Sequence, residues 1–223
     1  MILRLVQLPP LRSIYQAGKV PLPARMRFMD PAAWSALKPV ADKLVFSDVY
    51  RSMEAQRLAY KTKAGTQKPG YSAHQFGLAI DIDWRRCLID KLGGVKSKLE
   101  LDSLLLTYNF QCYRGDGKDA REAWHYTFSA DDPGSKAVER VIYSRRWHQF
   151  KPDHHAVQRI LASMRMYHGE IDGLIGPLSR EAISIFQQAW GIKPSGQLDD
   201  VTLRVLAVAG AEIEIVKETP LVA

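Results

Sequence analysis

Two short stretches of this sequence carry the side-chain types that bind metal ions. The first is Ser72-Ala-His-Gln-Phe-Gly-Leu-Ala-Ile-Asp81, in which His74 and Asp81 lie on either side of Gly77. From Leu78 onward, apolar and polar residues alternate as in a β-strand, which turns Asp81 away from the apolar face. Because Gly77 permits a sharp turn, we expect the His74 imidazole to fold back towards the Asp81 carboxylate.

The second stretch is Glu122-Ala-Trp-His-Tyr-Thr-Phe128. Strand alternation places its three aromatic residues on one face and His125 on the other, and we expect the aromatic residues Trp124 and Tyr126 to be core. Two imidazoles and one carboxylate with an open fourth position is the coordination that catalytic zinc prefers. The expected Zn²⁺ ligands are therefore His74, Asp81 and His125. Glu122 is left as a general base, if it lies at a bend before the strand.

These patterns resemble a known family. Ser-x-His-x-x-Gly-x-Ala-x-Asp followed by Glu-x-Trp-His-Tyr is similar to the M15 zinc peptidases, the family of VanY-type D-alanyl-D-alanine carboxypeptidases. The segment Val49-Tyr-Arg-Ser-Met-Glu-Ala-Gln56 resembles the family's Tyr-Arg-Ser-x-x-x-Gln segment. The resemblance implies that Arg51 stabilises the oxyanion of the tetrahedral intermediate. It also implies that Ser72 and Gln56 shape the substrate site.

The cleaved bond stays open at this point. Glu-x-Trp-His-Tyr favours a carboxypeptidase that removes the terminal D-alanine of the stem peptide. The alternative is a phage-type endolysin that cuts the L-alanyl-D-glutamate bond after a holin releases it. A further alternative is a non-catalytic, zinc-containing cell-wall-binding protein, since Hedgehog signalling domains resemble the family without hydrolysis. The presence of Glu122 argues against this last alternative.

Composition is that of a soluble globular protein, because 46% of the 223 residues are hydrophobic and 25% are charged. The opening residues, with Arg4 and prolines at 9 and 10, lack the apolar core of a signal peptide. We therefore expect synthesis in the cytoplasm without a recognisable signal peptide and action on the cell wall, in the periplasm or outside the cell. Cys87 and Cys112 are expected to be reduced, packed thiols, although a bridge between them stays open.

Charge is unevenly distributed along the chain. From Phe150 onward there are seven basic and nine acidic residues, against 24 and 15 before it. The basic part would be attracted to polyanions, and phosphate-bearing polymers of the cell envelope are one candidate. Nucleic acid is not expected, because no helix-turn-helix, zinc-finger or ribonucleoprotein signature accompanies the charge. A basic pI that serves solubility alone is an equal alternative. No membrane span is expected, and we favour a monomer.

Local patterns predict a mixed α+β fold with a small, mostly antiparallel sheet and flanking helices, as in Hedgehog and D-Ala-D-Ala peptidase domains. We expect the first thirty residues to form an extended arm. A helix capped by Asp30 should end near Leu37, before Pro39. Strands are predicted near 43–50, 78–83, 110–113 and 124–128. Helices are predicted after Ser52, around 101–108 and across 135–148, and a hairpin turn at 114–117.

The C-terminal part contains three predicted helices and a weak internal repeat. Gly173-Leu-Ile-Gly-Pro-Leu-Ser-Arg-Glu-Ala-Ile183 aligns with Gly196-Gln-Leu-Asp-Asp-Val-Thr-Leu-Arg-Val-Leu206, 23 residues later. The run from Tyr167 resembles the three-helix peptidoglycan-binding domain of cell-wall hydrolases, which implies peptidoglycan as a partner. The predicted domains are a zinc peptidase domain with an extended N-terminal arm at 1–150, a peptidoglycan-binding domain at 151–210 and a frayed tail at 211–223.

Overall fold

The chain forms two compact units in a computed structural model that describes residues 2–63, 66–89, 92–112, 122–128, 151–210 and 212–216. The sheet unit contains the described parts of Leu3–Ser52, Ala73–Tyr143 and Ile213–Ala223. The helical unit contains those of Met53–Ser72 and Ser144–Glu212, together with Ile2. Residues 53–72 thus group with the C-terminal helices, and the boundaries at 150 and 210 stay predictions.

A four-stranded sheet forms the centre of the sheet unit. Its order is β3 (Phe46–Asp48), β4 (Ala79–Ile82), β6 (His125–Phe128) and β5 (Phe110–Cys112), and all neighbours are antiparallel. The predicted α+β class with a small antiparallel sheet is therefore confirmed. Strand β3 is shorter than the predicted 43–50. The predicted hairpin turn at 114–117 and the helix at 135–148 lie outside the described residues.

A second sheet is built from the two ends of the chain. Its order is β2 (Phe28–Met29), β1 (Ile2–Gln7) and β7 (Glu212–Val216), and β1 pairs antiparallel with β2. Ile2–Gln7 and Glu212–Val216 are therefore strands, whereas the sequence predicts an arm without regular secondary structure over the first thirty residues and a frayed tail at 211–223. Each strand obtains its backbone hydrogen bonds from partners that are distant in sequence, and neither segment reveals that pairing by itself.

Two helices of the sheet unit, at Pro31–Ala41 and Lys98–Thr107, bury apolar side chains. Helix α1 (Pro31–Ala41) begins at Asp30, whose carboxylate accepts hydrogen bonds from the amides of Ala32 and Ala33. It continues through Pro39, so the predicted end at Leu37 is wrong, because burial of the last turn outweighs the one backbone hydrogen bond that proline removes. Helix α3 (Trp84–Ile89) follows Asp83, and α4 (Lys98–Thr107) buries its predicted leucine face. The largest fully buried side chains of this unit include Leu5, Met29, Leu37, Phe46, Ile80, Phe110 and Tyr126.

The helical unit contains the three predicted C-terminal helices, α5 (His154–Ser163), α6 (Pro177–Ala189) and α7 (Asp200–Ala209). Helix α2 (Met53–Thr62) belongs to the same unit, and Met53 joins its apolar core. The Arg57 guanidinium donates to the carbonyl of Ala189 at 2.8 Å. Among the described residues, no helix has the length and apolar character needed to cross a bilayer.

The internal repeat is visible in two equivalent hydrogen-bond arrangements, in which a buried glutamine, Gln158 or Gln187, binds the loop before the next helix. We call each of them a glutamine clamp. Gln158 and Gln187 are fully buried, and each holds the loop that precedes the next helix. The side-chain oxygen of Gln158 accepts from the Gly173 amide at 2.7 Å, and that of Gln187 accepts from the Gly196 amide at 2.8 Å. Each glutamine also contacts a buried hydroxyl near the start of that helix, from Ser179 or Thr202. Both glycines and both hydroxyl residues are 23 apart, so the predicted repeat is confirmed.

Candidate metal centre

Strand register places two of the predicted ligands side by side. Asp81 in β4 lies directly opposite His125 in β6, and on its other side it pairs with Asp48 in β3. Residues directly opposite each other in adjacent strands have side chains within contact distance. His74 reaches the same place from a short 3-10 turn, Ala73–Phe76, that precedes β4.

The return of the chain from this turn into β4 depends on Gly77. Its φ of +67° lies in the left-handed region, and its carbonyl accepts a hydrogen bond from the Asp30 amide at 3.0 Å. A Cβ atom at this position would lie 2.7 Å from the Asp30 nitrogen and 2.9 Å from Cα of Met29. The predicted glycine turn is therefore present, and the close packing of the backbone excludes any side chain there.

The three predicted ligands converge on one point. Oδ1 of Asp81 lies 2.8 Å from Nδ1 of His125 and 3.3 Å from Nε2 of His74, and the two imidazole nitrogens are 3.2 Å apart. Ligand atoms at about 2.0–2.2 Å from a tetrahedral zinc ion are about 3.3–3.6 Å from each other. Two of the three separations are close to this range, so a slight opening of the pair Asp81 and His125 would fit the ion.

The carbonyl of Val49 determines which ring nitrogen of His74 carries the proton in the neutral ring. Its Nδ1 atom lies 2.7 Å from the carbonyl oxygen of Val49, and a carbonyl only accepts hydrogen bonds. Nδ1 therefore carries the ring proton, which leaves the lone pair of the neutral ring on Nε2, the atom that faces Asp81 and His125. His74 is only 2% exposed, so surrounding atoms restrict rotation of the ring.

His125 has the complementary arrangement. Its Nδ1 atom faces the cluster, and its Nε2 atom lies 3.2 Å from the hydroxyl of Thr127 on the same strand. Coordination of a metal through Nδ1 requires the proton on Nε2, where it can be donated to the Thr127 oxygen. The donor set is thus one carboxylate and two imidazoles whose outer nitrogens both have acceptors, which suits zinc.

The cluster keeps Asp81 ionised. Burial favours the neutral acid, but without a metal ion the rings of His74 and His125 can carry protons on the nitrogens that face Asp81. Attraction to His74 and hydrogen bonds from His125 and His74 then outweigh burial and hold the pKa of Asp81 well below its usual range. Nη2 of Arg51 lies 3.7 Å from Oδ2 of Asp81, on the far side of the carboxylate from the histidines. The structure therefore brings Arg51 beside the three predicted ligands, although its role in catalysis stays a prediction.

The other predicted site residues are placed as follows. Glu122 is half-buried in a turn at 122–124 immediately before β6, where the sequence predicts a bend. Ser72 and Gln56 belong to the helical unit; both are buried, and the Gln56 amide donates to the carbonyl of Gln67. The catalytic role of Glu122 and the substrate-site roles of Ser72 and Gln56 stay predictions.

Three expectations about neighbouring side chains have clear outcomes. Tyr126 is fully buried as predicted, but Trp124 is 44% exposed, so its assignment to the core is wrong. Trp124 lies in the turn before β6, where strand alternation no longer applies. Cys87 and Cys112 are both free thiols, as expected.

Sequence reasoning missed three supporting residues, which are Asp48, Val49 and Thr127. The Val49 carbonyl leaves no trace in the sequence, because any residue supplies it. Thr127 is recognisable in principle, since it shares the strand face of His125. Asp48 is three residues before Arg51, and its carboxylate accepts hydrogen bonds from both Nε and Nη2 of that arginine.

Comparison with known proteins adds an independent finding for the helical part. Residues 151–206 match the family model described as a putative peptidoglycan binding domain. This match confirms the resemblance noted for the three C-terminal helices. It covers about a quarter of the chain, so it describes this part alone.

Two further similarities were found. A stretch of 52 residues is 42% identical to the putative OxPP cycle protein OpcA of Synechococcus elongatus, and it covers 23% of this chain and 12% of that protein. The solved structure of the LdcB LD-carboxypeptidase, described as revealing the molecular basis of peptidoglycan recognition, is 23% identical. That similarity covers 64% of this chain and 73% of LdcB, with a TM-score of 0.41.

Proposed function

We propose that this protein is a zinc-dependent peptidoglycan peptidase that hydrolyses the stem peptide, most like a D-alanyl-D-alanine carboxypeptidase. The convergence of His74, Asp81 and His125 on one point carries the proposal. The match of residues 151–206 to a peptidoglycan-binding family supports peptidoglycan as the polymer. A wall-binding part would raise the effective concentration of stem peptides at the metal centre.

Each ligand side chain has a defined task in this proposal. His74 presents Nε2 because its Nδ1 proton is held by Val49, and His125 presents Nδ1. Asp81 supplies the negative charge that partly balances a divalent cation. When bound, zinc would supply Lewis acidity and lower the pKa of a coordinated water to about 7.

Glu122 is proposed as the general base and acid. Its carboxylate would take a proton from the attacking water and deliver it to the amine of the leaving D-alanine. The position of Glu122 in the turn shortly before His125 supports this role, because Glu122 itself lies outside strand β6. Replacement by glutamine would keep the shape of the side chain and remove its basicity.

Arg51 is proposed to stabilise the negative charge that develops on the scissile carbonyl oxygen. Its guanidinium is held 3.7 Å from Asp81, and its side chain is only 17% exposed. A fixed charge in such a partly buried position acts more strongly than one in water, since less solvent screens it. Loss of this charge is therefore expected to reduce kcat more than it raises KM.

Digestion of purified peptidoglycan followed by mass spectrometry of the products tests the proposal. Four samples are compared: the full chain, the full chain with a zinc chelator, the Glu122→Gln variant and a control variant. Glu170→Gln, at an exposed position of the helical unit, serves as a matched control. We expect free D-alanine from the full chain and the control, and none from the other two samples.

The same experiment separates the alternatives. New N-terminal D-glutamate in place of free D-alanine would indicate the endolysin-type endopeptidase. No new product, together with capture of the protein on sacculi, would indicate a wall-binding protein without catalysis and would overturn the proposed enzyme. Digestion that proceeds unchanged in Glu122→Gln would overturn the assignment of this glutamate.

A further inference from the structure

Asp48 has an unusual place beside the metal centre. It is the last residue of β3 and pairs with Asp81 of β4, so two carboxylates lie opposite each other in adjacent strands. Asp48 is 9% exposed, and its Oδ2 atom accepts from Nε of Arg51 at 2.9 Å and also from Nη2. Its Oδ1 atom is buried without a hydrogen-bond partner among the described residues.

The Arg51 guanidinium therefore lies between the carboxylates of Asp48 and Asp81, but it is hydrogen-bonded to Asp48 alone of these two. Nη2 of Arg51 bonds to Asp48 and remains 3.7 Å from Oδ2 of Asp81, beyond hydrogen-bond distance. Asp81 makes its close contacts with His125 and His74 through Oδ1. The two bonds from Arg51 to Asp48 are thus made while the guanidinium lies beyond hydrogen-bond distance of Asp81.

The position of Arg51 affects metal binding because Arg51 and a divalent cation would compete for the carboxylate of Asp81. A guanidinium bonded directly to Asp81 would draw negative charge away from the metal ligand and bring a positive charge closer to the ion. Asp48 opposes both effects, since it holds the guanidinium and adds a negative charge nearby.

We propose that Asp48 is a positioning residue that holds Arg51 off Asp81 and so preserves the affinity of the centre for zinc. The inference rests on the proposed function, because it requires a metal ion at His74, Asp81 and His125. In Asp48→Asn the side chain keeps its shape but loses its charge, and Arg51 is released towards Asp81. Zinc affinity is expected to fall by about 10-fold, the lower end of the effect of removing a partner of a metal ligand.

A double-variant cycle distinguishes positioning from a purely structural clamp. Zn²⁺ is titrated by calorimetry into the full chain, Asp48→Asn, Arg51→Gln and the double variant. Because Arg51→Gln removes the competing cation, it is expected to bind zinc as tightly as the full chain or several-fold more tightly. The double variant is expected to recover the affinity that Asp48→Asn loses. If the pair Asp48 and Arg51 only stabilises the local structure, both single variants should lose zinc affinity, and the double variant should not recover it.

The outcomes separate this inference from the proposed function. If the full chain takes up no zinc, the metal centre itself is refuted, and the inference falls with it. If the full chain binds zinc and Asp48→Asn binds it equally well, only the inference is overturned. Should Asp48→Asn fail to fold, Arg51→Gln decides alone, because weaker zinc binding by that variant contradicts competition for Asp81.

Discussion

Nε2 of His125 lies 3.2 Å from the hydroxyl oxygen of Thr127, two residues further along the same strand. This contact gives the outer ring nitrogen an acceptor while Nδ1 faces Asp81. Groups that hold the outer nitrogen of a metal-binding histidine fix its orientation and raise its basicity. We therefore expect Thr127 to support His125 in the candidate metal centre.

Thr127→Val should weaken zinc binding by about 10-fold, because valine keeps the shape of threonine and removes the acceptor. Thr107→Val is the control, since the Thr107 hydroxyl contacts only a carbonyl of its own helix among the described contacts. Competition against a chelating dye measures both affinities. Equal zinc affinity in Thr127→Val and the full chain would show that the hydroxyl does not support His125.

Gly77 and Gly94 both have positive φ angles, but only Gly77 is closely packed. Gly94→Ala should lower the free energy of unfolding by about 1–2 kcal/mol, because alanine is strained in the left-handed backbone conformation. Gly77→Ala should cost about 1–3 kcal/mol more, because its Cβ would collide with the backbone of Met29 and Asp30. The free energies of unfolding from denaturant titration give this difference directly. A cost for Gly77→Ala no greater than that for Gly94→Ala would refute the close packing of this turn.

Gln187 and Gln188 are adjacent on α6 but differ completely in burial. Gln187→Leu leaves the amide of Ser195 and the buried amide of Gly196 without their acceptor, which should destabilise the helical unit by about 2–4 kcal/mol. Gln188→Leu, at an exposed position, should change stability by less than about 0.5 kcal/mol. Both values are measurable by denaturant unfolding of the full chain. Similar small changes in the two variants would show that the glutamine clamp contributes little.

Asp153 caps α5 and should make its stability depend on pH. A hydrogen bond from the Ala156 amide is the main cause that holds the pKa of Asp153 below its usual value. The charged form of Asp153 is thus favoured in the folded state. The stabilisation from this carboxylate is complete above its unfolded pKa of about 3.9, and it is lost as pH falls through its lower folded pKa.

Asp153→Asn keeps the capping shape and removes the charge. The full chain should therefore be more stable than this variant at about pH 6, and the two should converge towards about pH 3. Thermal unfolding followed by circular dichroism across this range measures the difference. A gap that does not narrow as the solution becomes more acidic would contradict the role of the carboxylate.

Much of the candidate centre was predictable because its signals are local. The glycine turn and the strand alternation after it bring His74 towards Asp81 within one short segment. The second sheet was not predictable, because β1 and β7 pair across almost the whole chain. The continuation of α1 through Pro39 depends on burial of its last turn against distant residues. Asp48 was missed for the same reason, since its relation to Asp81 exists only through the register of two strands.

X-ray absorption at the zinc edge of the zinc-loaded full chain identifies the ligands of the bound ion and so tests the proposed zinc site. We predict two imidazole nitrogens at about 2.0–2.1 Å from the zinc ion, oxygen as the remaining ligand type and no sulfur. One imidazole should be lost in His74→Ala and one in His125→Ala. Sulfur neighbours at about 2.3 Å, or an imidazole count that neither substitution changes, would show that zinc binds elsewhere and would contradict the proposed centre.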